Sequence, residues 1–188
     1  MNTWFFKIAI ALYLLGTFKY LLFVILLREL LAKIGFLSLF VGFVLHSTAF
    51  VLRYLEAGHT PVTNLHESLS FFAWAIVGVY LAFYWRYRIK VLGPFIATLA
   101  LILMIPAMVL PKEILPLAPV LRSYWLPIHV VFAFLGNAVF ALAFCTGIIY
   151  ILQEHQVKSK HIGAIFRRLP SLGVLDEINY RALTFGFP

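Results

Sequence analysis

Six histidines, His46, His59, His66, His129, His155 and His161, are the side chains of this 188-residue sequence best suited to hold a metal centre or pass a proton near neutral pH. No pair has the HxxxH spacing that would build a metal site on one helix face. His129 stands apart by context. The stretch Trp125-Leu126-Pro127-Ile128-His129-Val130 puts it one turn inside an apolar helix that opens behind a tryptophan and a helix-starting proline. That is where a membrane protein would coordinate a ligand at its outer surface, with Trp125 as a candidate wall. The plainer reading is an interfacial histidine satisfied by a backbone carbonyl or water. His46 stands apart by depth: at a rise of 1.5 Å per residue it lies about 18 Å along an apolar run that starts near Ile34, close to mid-bilayer. An ionisable residue there is a functional candidate in its own right. His59 and His66 fall in a loop, and His155 and His161 in a basic polar segment, where solvated surface positions are the default.

The elements that must position these residues follow from composition. The chain is 63% hydrophobic with a mean hydropathy of +0.99, far above the roughly 45–50% apolar usage of a soluble domain. Its apolar residues come in runs of about 20, the length a helix needs to cross a hydrocarbon core of about 30 Å. Because lipid offers no partner to free backbone groups, such runs are spanning helices. A barrel would instead show many alternating segments of about 10 residues. The expected fold is all-α, a polytopic transmembrane helix bundle forming one domain over 1–188. Five complete spans are expected at about Trp4–Leu27, Ile34–Leu55, Ser68–Tyr84, Val91–Leu110 and Leu126–Leu152, and a sixth begins near Ala182. Lys19 lies deep in the first span, and Pro106 is expected to kink the fourth. The segment 169–180 has helical apolar spacing and is expected to lie on the inner membrane surface before re-entering. With many aromatics but few small-residue motifs, the bundle is expected to need further helices or a partner to cover its interior face.

The net charge of +8 does not indicate nucleic acid, since the basic residues are scattered at helix ends and report topology. Ten Lys and Arg residues fall after spans one, three and five, against three, Arg53, Lys112 and Arg122, in the alternate breaks. By the positive-inside rule the N-terminus and the 56–67 and 111–125 loops face outward, across the cell membrane. In the first of these loops Asn64 or Thr63 can cap the third span, with Glu67 in its first turn. Tyr124, Trp125, Trp74 and Trp85 suit interface anchors. Cys145, alone in an apolar run, excludes an intrachain disulfide and a CxxC site.

This distribution suits a large apolar ligand bearing an iron, since haem takes axial histidines and apolar, aromatic walls. It equally suits a proton or solute pathway through His46 and Glu67. Local sequence separates the two. Thr60-Pro61-Val62-Thr63-Asn64-Leu65-His66-Glu67-Ser68-Leu69 with Phe72-Ala73-Trp74, then Leu126-Pro127-Ile128-His129-Val130 with Leu135-Gly136, then Asn179-Tyr180-Arg181-Ala182 with Gly186-Phe187-Pro188, resembles in order and spacing the CcsA/ResC-type cytochrome c biogenesis (system II) family.

The resemblance implies a haem transport and presentation subunit of a holocytochrome c synthase complex, handling b-type haem for covalent attachment to apocytochrome c. It implies a CcsB/ResB-type membrane partner, and an enzyme only as part of that complex. His129 matches the first of two external histidines that hold haem as axial ligands in the family. His46 matches a frequent family position, and His66 stands where the family often has an aromatic residue. The family's tryptophan-rich haem-binding segment is expected beyond the span starting near Ala182, so the sequence reads as truncated before it. The alternatives are a secondary transporter or channel subunit, and a b-type haem electron-transfer subunit.

Overall fold

The computed structural model describes residues 2–114, 125–159 and 169–187. Among the described residues six helices follow one another: α1 (Asn2–Leu26), α2 (Glu29–Ala57), α3 (Leu65–Tyr87), α4 (Leu92–Val109), α5 (Trp125–Ser159) and α6 (Leu172–Gly186). The described residues contain no strand. Helices α1 to α5 are long and apolar enough to cross a membrane, whereas α6, at 15 residues and about 22 Å, is shorter than a span. The all-α, multi-pass architecture expected from hydropathy is therefore the one observed.

The α1–α2 hairpin shows how sequence becomes packing. On α1 the buried residues Phe6, Ala9, Tyr13, Gly16, Tyr20 and Phe23 recur at intervals of three and four. On α2 Ala32, Gly35, Leu39, Gly42, His46 and Ala49 do the same. These are two heptad seams, and large residues on one helix meet small ones on the other. A Cβ on Gly42 would come within 2.8 Å of the Tyr13 ring, and one on Gly35 within 2.9 Å of the Tyr20 ring. The expectation of few small-residue motifs is thus corrected: the small residues are spaced as a seam and alternate with larger ones, so no GxxxG string marks them. Tyr20 also reaches α3 and α4, pairing with Tyr80 through hydroxyls 2.8 Å apart and lying where a Cβ on Gly93 would be only 2.3 Å away.

Beyond this hairpin α1 packs on α4, α4 on α3, α3 on α5, and α5 on α6. Lys19, the charge that complicated the first span, lies over the ring of exposed Phe18, so its ammonium stays off the bundle interior. Helix α4 continues one turn past Pro106 to Val109. Trp74 is no interface anchor: it is half-buried, stacks on Phe43 and donates from Nε1 to Ser47 Oγ at 2.8 Å. Tyr124 lies outside the described residues.

The last two helices differ most from expectation. Helix α5 extends to Ser159, seven residues past the expected end of the fifth span, because its polar tail keeps helical registry through Glu154–Lys158 pairing at i,i+4. Residues 172–186 form a single helix docked on α5 instead of a surface-lying segment followed by a span. Leu175, Ile178, Ala182 and Gly186 make its buried face. Asn179 meets Gly147 while Gly186 meets Phe140 and Gly136, so α6 runs antiparallel to α5. Ser171 caps it by accepting from Val174 N–H.

Candidate functional site

The expected cap at the start of α3 is present and leads to a larger polar cluster. Asn64 accepts from Glu67 N–H at 2.8 Å, and the Glu67 carboxylate reaches back to Thr63 N–H and Thr63 Oγ1, both at 2.9 Å. Its other oxygen takes the Arg53 guanidinium fork through Nε and Nη2, both at 2.9 Å. The carboxylate is 2% exposed and Arg53 11%, so this is a largely buried ion pair with both oxygens occupied. Arg53, read from sequence only as a topology charge, is the pivot. Its Nη2 also donates to the carbonyls of Lys112 (2.7 Å) and Glu113 (3.2 Å), tying α2 to the 111–114 segment. The sequence signal was an arginine near the end of one span and a glutamate in the first turn of the next.

His66 completes the same tie. The Ala107 carbonyl faces Pro111, which has no N–H to give it, and His66 Nδ1 donates to that carbonyl at 2.6 Å. His59 similarly donates from Nδ1 to the Thr60 carbonyl at 3.1 Å. His66 Nδ1 therefore carries a proton in this contact. His66 is half-buried on the edge of Phe6.

His46 is wholly buried, at 0% exposure, in its seam position. Nδ1 lies 3.4 Å from Tyr13 Oη and Nε2 lies 2.9 Å from Ser70 Oγ, so both ring nitrogens have hydroxyl partners. The ring stacks on Phe50 and meets Phe6 and Tyr13 edge-on. His46, His66, Arg53, Glu67, Ser70 and Lys112 share a cavity of about 30 Å³. That is room for about two waters, not for a macrocycle. The described residues contain no cluster of three or more His, Cys, Asp or Glu that could hold a metal ion.

His129 has the opposite setting. It is exposed on α5 and makes no hydrogen bond, ion pair or ring contact with any described residue. Trp125, Phe132 and Gly136 share its helix face at intervals of three and four; Trp125 is 76% and Phe132 60% exposed, while Gly136 lies against Gly186 of α6. Phe134, which packs edge-on against Phe71, lies about 140° around the helix, so the His129 face turns away from α3. No residue from Trp125 to Asn137 is buried; α5 is first covered at Ala138. His155 is exposed on the α5 tail, at the far end of that helix from His129, and His161 lies outside the described residues.

A multi-pass helical membrane protein with a tightly tied polar loop cluster and an exposed histidine–aromatic helix face is thus the class defined here. The family model for the cytochrome C assembly protein matches residues 62–188, from the polar loop through α6. The chain belongs to that family. It is also similar to protein HemX of Brevibacillus brevis, 31% identical over 157 residues, covering 83% of this chain and 58% of that protein. Cytochrome c biogenesis protein CcsA of Chlamydomonas reinhardtii is 30% identical over 146 residues, covering 73% and 40%. The CcsA of a Synechococcus strain is 31% identical over 148 residues, covering 74% and 42%. The chain spans 40–58% of the length of these three relatives.

Proposed function

We propose that this chain acts in cytochrome c biogenesis as a membrane subunit that receives b-type haem as cargo and presents it at the outer face for attachment to apocytochrome c. The observation that carries this reading is the His129 face. An imidazole without a partner among the described residues, flanked at helical spacing by exposed Trp125 and Phe132, offers one axial nitrogen and flat apolar walls. That donor set fits haem. When bound, haem supplies the iron that the imidazole ligates and the vinyl groups that cysteine thiols of an apocytochrome attack. The chain's own part is to bind and orient, with His129 as axial ligand and Trp125 as a wall; the complete site forms within a synthase complex containing a CcsB/ResB-type partner. The exposed Trp125–His129–Phe132 face at the start of α5 is the surface on which other helices of that complex close.

His46 takes a different role in this reading. Both its nitrogens are engaged and its cavity is water-sized, so it positions α1, α2 and α3 instead of ligating iron. The Arg53–Glu67–His66 cluster fixes the loop that leads towards α5. The chain functions as one membrane domain with this loop on the outer side, as the distribution of Lys and Arg favours.

The test replaces His129 by Gly in the cellular system that matures cytochromes c. Maturation and the haem absorbance of the purified complex should both be lost. Added imidazole should restore part of each, because one ligand is missing while the walls remain. His155→Gly should mature cytochrome c normally. Full maturation with an unchanged haem spectrum in His129→Gly would exclude ligation and leave the interfacial-anchor reading. A purified wild-type complex without any haem band would favour the transporter or channel reading over both haem readings.

A further inference from the structure

The end of the bundle opposite the polar loop carries a second cavity, of about 370 Å³, within the range of small-molecule sites. It lies where α1 ends, α2 begins, α3 passes into α4, and Leu169 and Pro170 lead into α6. Its floor is aromatic and aliphatic, from Phe23, Tyr87, Ile89 and Val91, and its rim carries Arg88, Lys90 and Glu29. Lys90 is paired with Glu29. Arg88 makes no ion pair with any described residue, and its guanidinium lies 5.9 Å from the Tyr84 ring centroid. Among the described lining residues the rim thus carries two cations and one carboxylate, and Arg88 has no counter-charge among them.

The backbone is bent to produce this arrangement. Arg88 caps α3 in the left-handed region, at φ 55°, where glycine or asparagine is the usual occupant. The reversal buries Ile89 and Val91 and leaves Arg88 and Lys90 on the rim. Helix α3 starts at the polar-loop end and its 23 residues rise about 34 Å, so Arg88 and Lys90 emerge at the depth of lipid headgroups. Tyr84, Trp85 and Tyr87 beside them form an interfacial aromatic set.

We propose that this cavity binds the phosphate of an anionic phospholipid from the adjoining leaflet, with Arg88 and Lys90 on the phosphate and the Tyr87 ring against the glycerol backbone. The recognition chemistry is an anionic oxygen group on an apolar body. A carboxylate amphiphile shares it, but a cavity open at headgroup depth and rimmed by two cations favours the resident lipid.

The test uses the full chain in neutral detergent, with retained lipid counted by native mass spectrometry after adding equal phosphatidylglycerol and phosphatidylcholine. The wild type should retain phosphatidylglycerol preferentially. Each interfacial cation is worth about fivefold in affinity for an anionic lipid, so Arg88→Gly with Lys90→Gln should reduce retention roughly tenfold or more. Arg88→Gly alone relieves the left-handed backbone and should fold at least as well as wild type while losing about fivefold. Lys33→Gln, an exposed cation at the same end but off the cavity, reports diffuse attraction and should cost clearly less than Arg88→Gly. Equal retention of the two lipids by wild type overturns the proposal. So does a preference that survives Arg88→Gly, or one lost equally in Lys33→Gln, which would reflect diffuse charge. A parallel arm with oleate and with protoporphyrin completes the test: Arg88-dependent retention of either above phosphatidylglycerol would assign the site to a carboxylate and refute the phospholipid assignment.

Discussion

Replacing Glu67 by Gln changes one atom and one charge at the side chain that holds both the Arg53 guanidinium and Thr63. The glutamine can keep an oxygen towards the Arg53 fork, but the two bonds at 2.9 Å lose their anionic acceptor and are charge-assisted from the guanidinium side alone, a loss of about 1–2 kcal/mol. Its amide then faces Thr63 N–H, which is left without an acceptor at a further cost of about 1–3 kcal/mol. Arg53 keeps its bonds to the Lys112 and Glu113 carbonyls, so the loss is not that of a fully stranded charge. About 3 kcal/mol of destabilisation is expected, at the lower edge of the 3–5 kcal/mol range for breaking a buried pair. Reversible unfolding in mixed micelles, followed by far-ultraviolet circular dichroism, measures it. In an Arg53→Gln background the same substitution should cost at most about 1 kcal/mol, because the coupling is already gone. A Glu67→Gln cost below about 0.5 kcal/mol, or an equal cost in both backgrounds, would refute the reasoning that this pair holds the loop.

The remaining expectations concern packing and sidedness. Gly93→Ala drives a methyl to within 2.3 Å of the Tyr20 ring and should destabilise by about 1–3 kcal/mol or more, whereas Gly173→Ala, with open space around it, should be near neutral in the same assay. His46→Ala should cost about 2–4 kcal/mol, by leaving a cavity and stranding the hydroxyls of Tyr13 and Ser70; His46→Asn should recover part of that through a retained hydrogen bond. With Cys145 replaced by Ser, cysteines at Gly58 and at Glu113 should both react with an impermeant thiol reagent from outside intact cells, and labelling of both only after lysis would reverse the orientation.

The sequence alone determined the membrane class and the five spans α1 to α5, because hydrocarbon thickness and the burial of backbone polar groups act on every residue of a run at once; the sixth span it suggested near Ala182 is instead part of α6. The family motifs were equally legible, since they are local strings. Asn64 as a cap could be read for the same reason: its partner lies three residues away. What the tertiary structure decided are relations between distant residues. Arg53 and Glu67, 14 apart, become one ion pair, and His66 meets a carbonyl 41 residues away that a proline has left without a donor. Depth marked His46 as the intramembrane histidine, but depth does not reveal partners. Only the folding of α1 and α3 around it supplied the two hydroxyls that occupy its nitrogens. His129 shows the converse: its string was visible in the sequence, but only the packing of α5 against α3 through Phe134 determined that its face is left uncovered. Periodicity fixes which residues share a helix face, and the neighbour that covers that face is chosen by the rest of the chain.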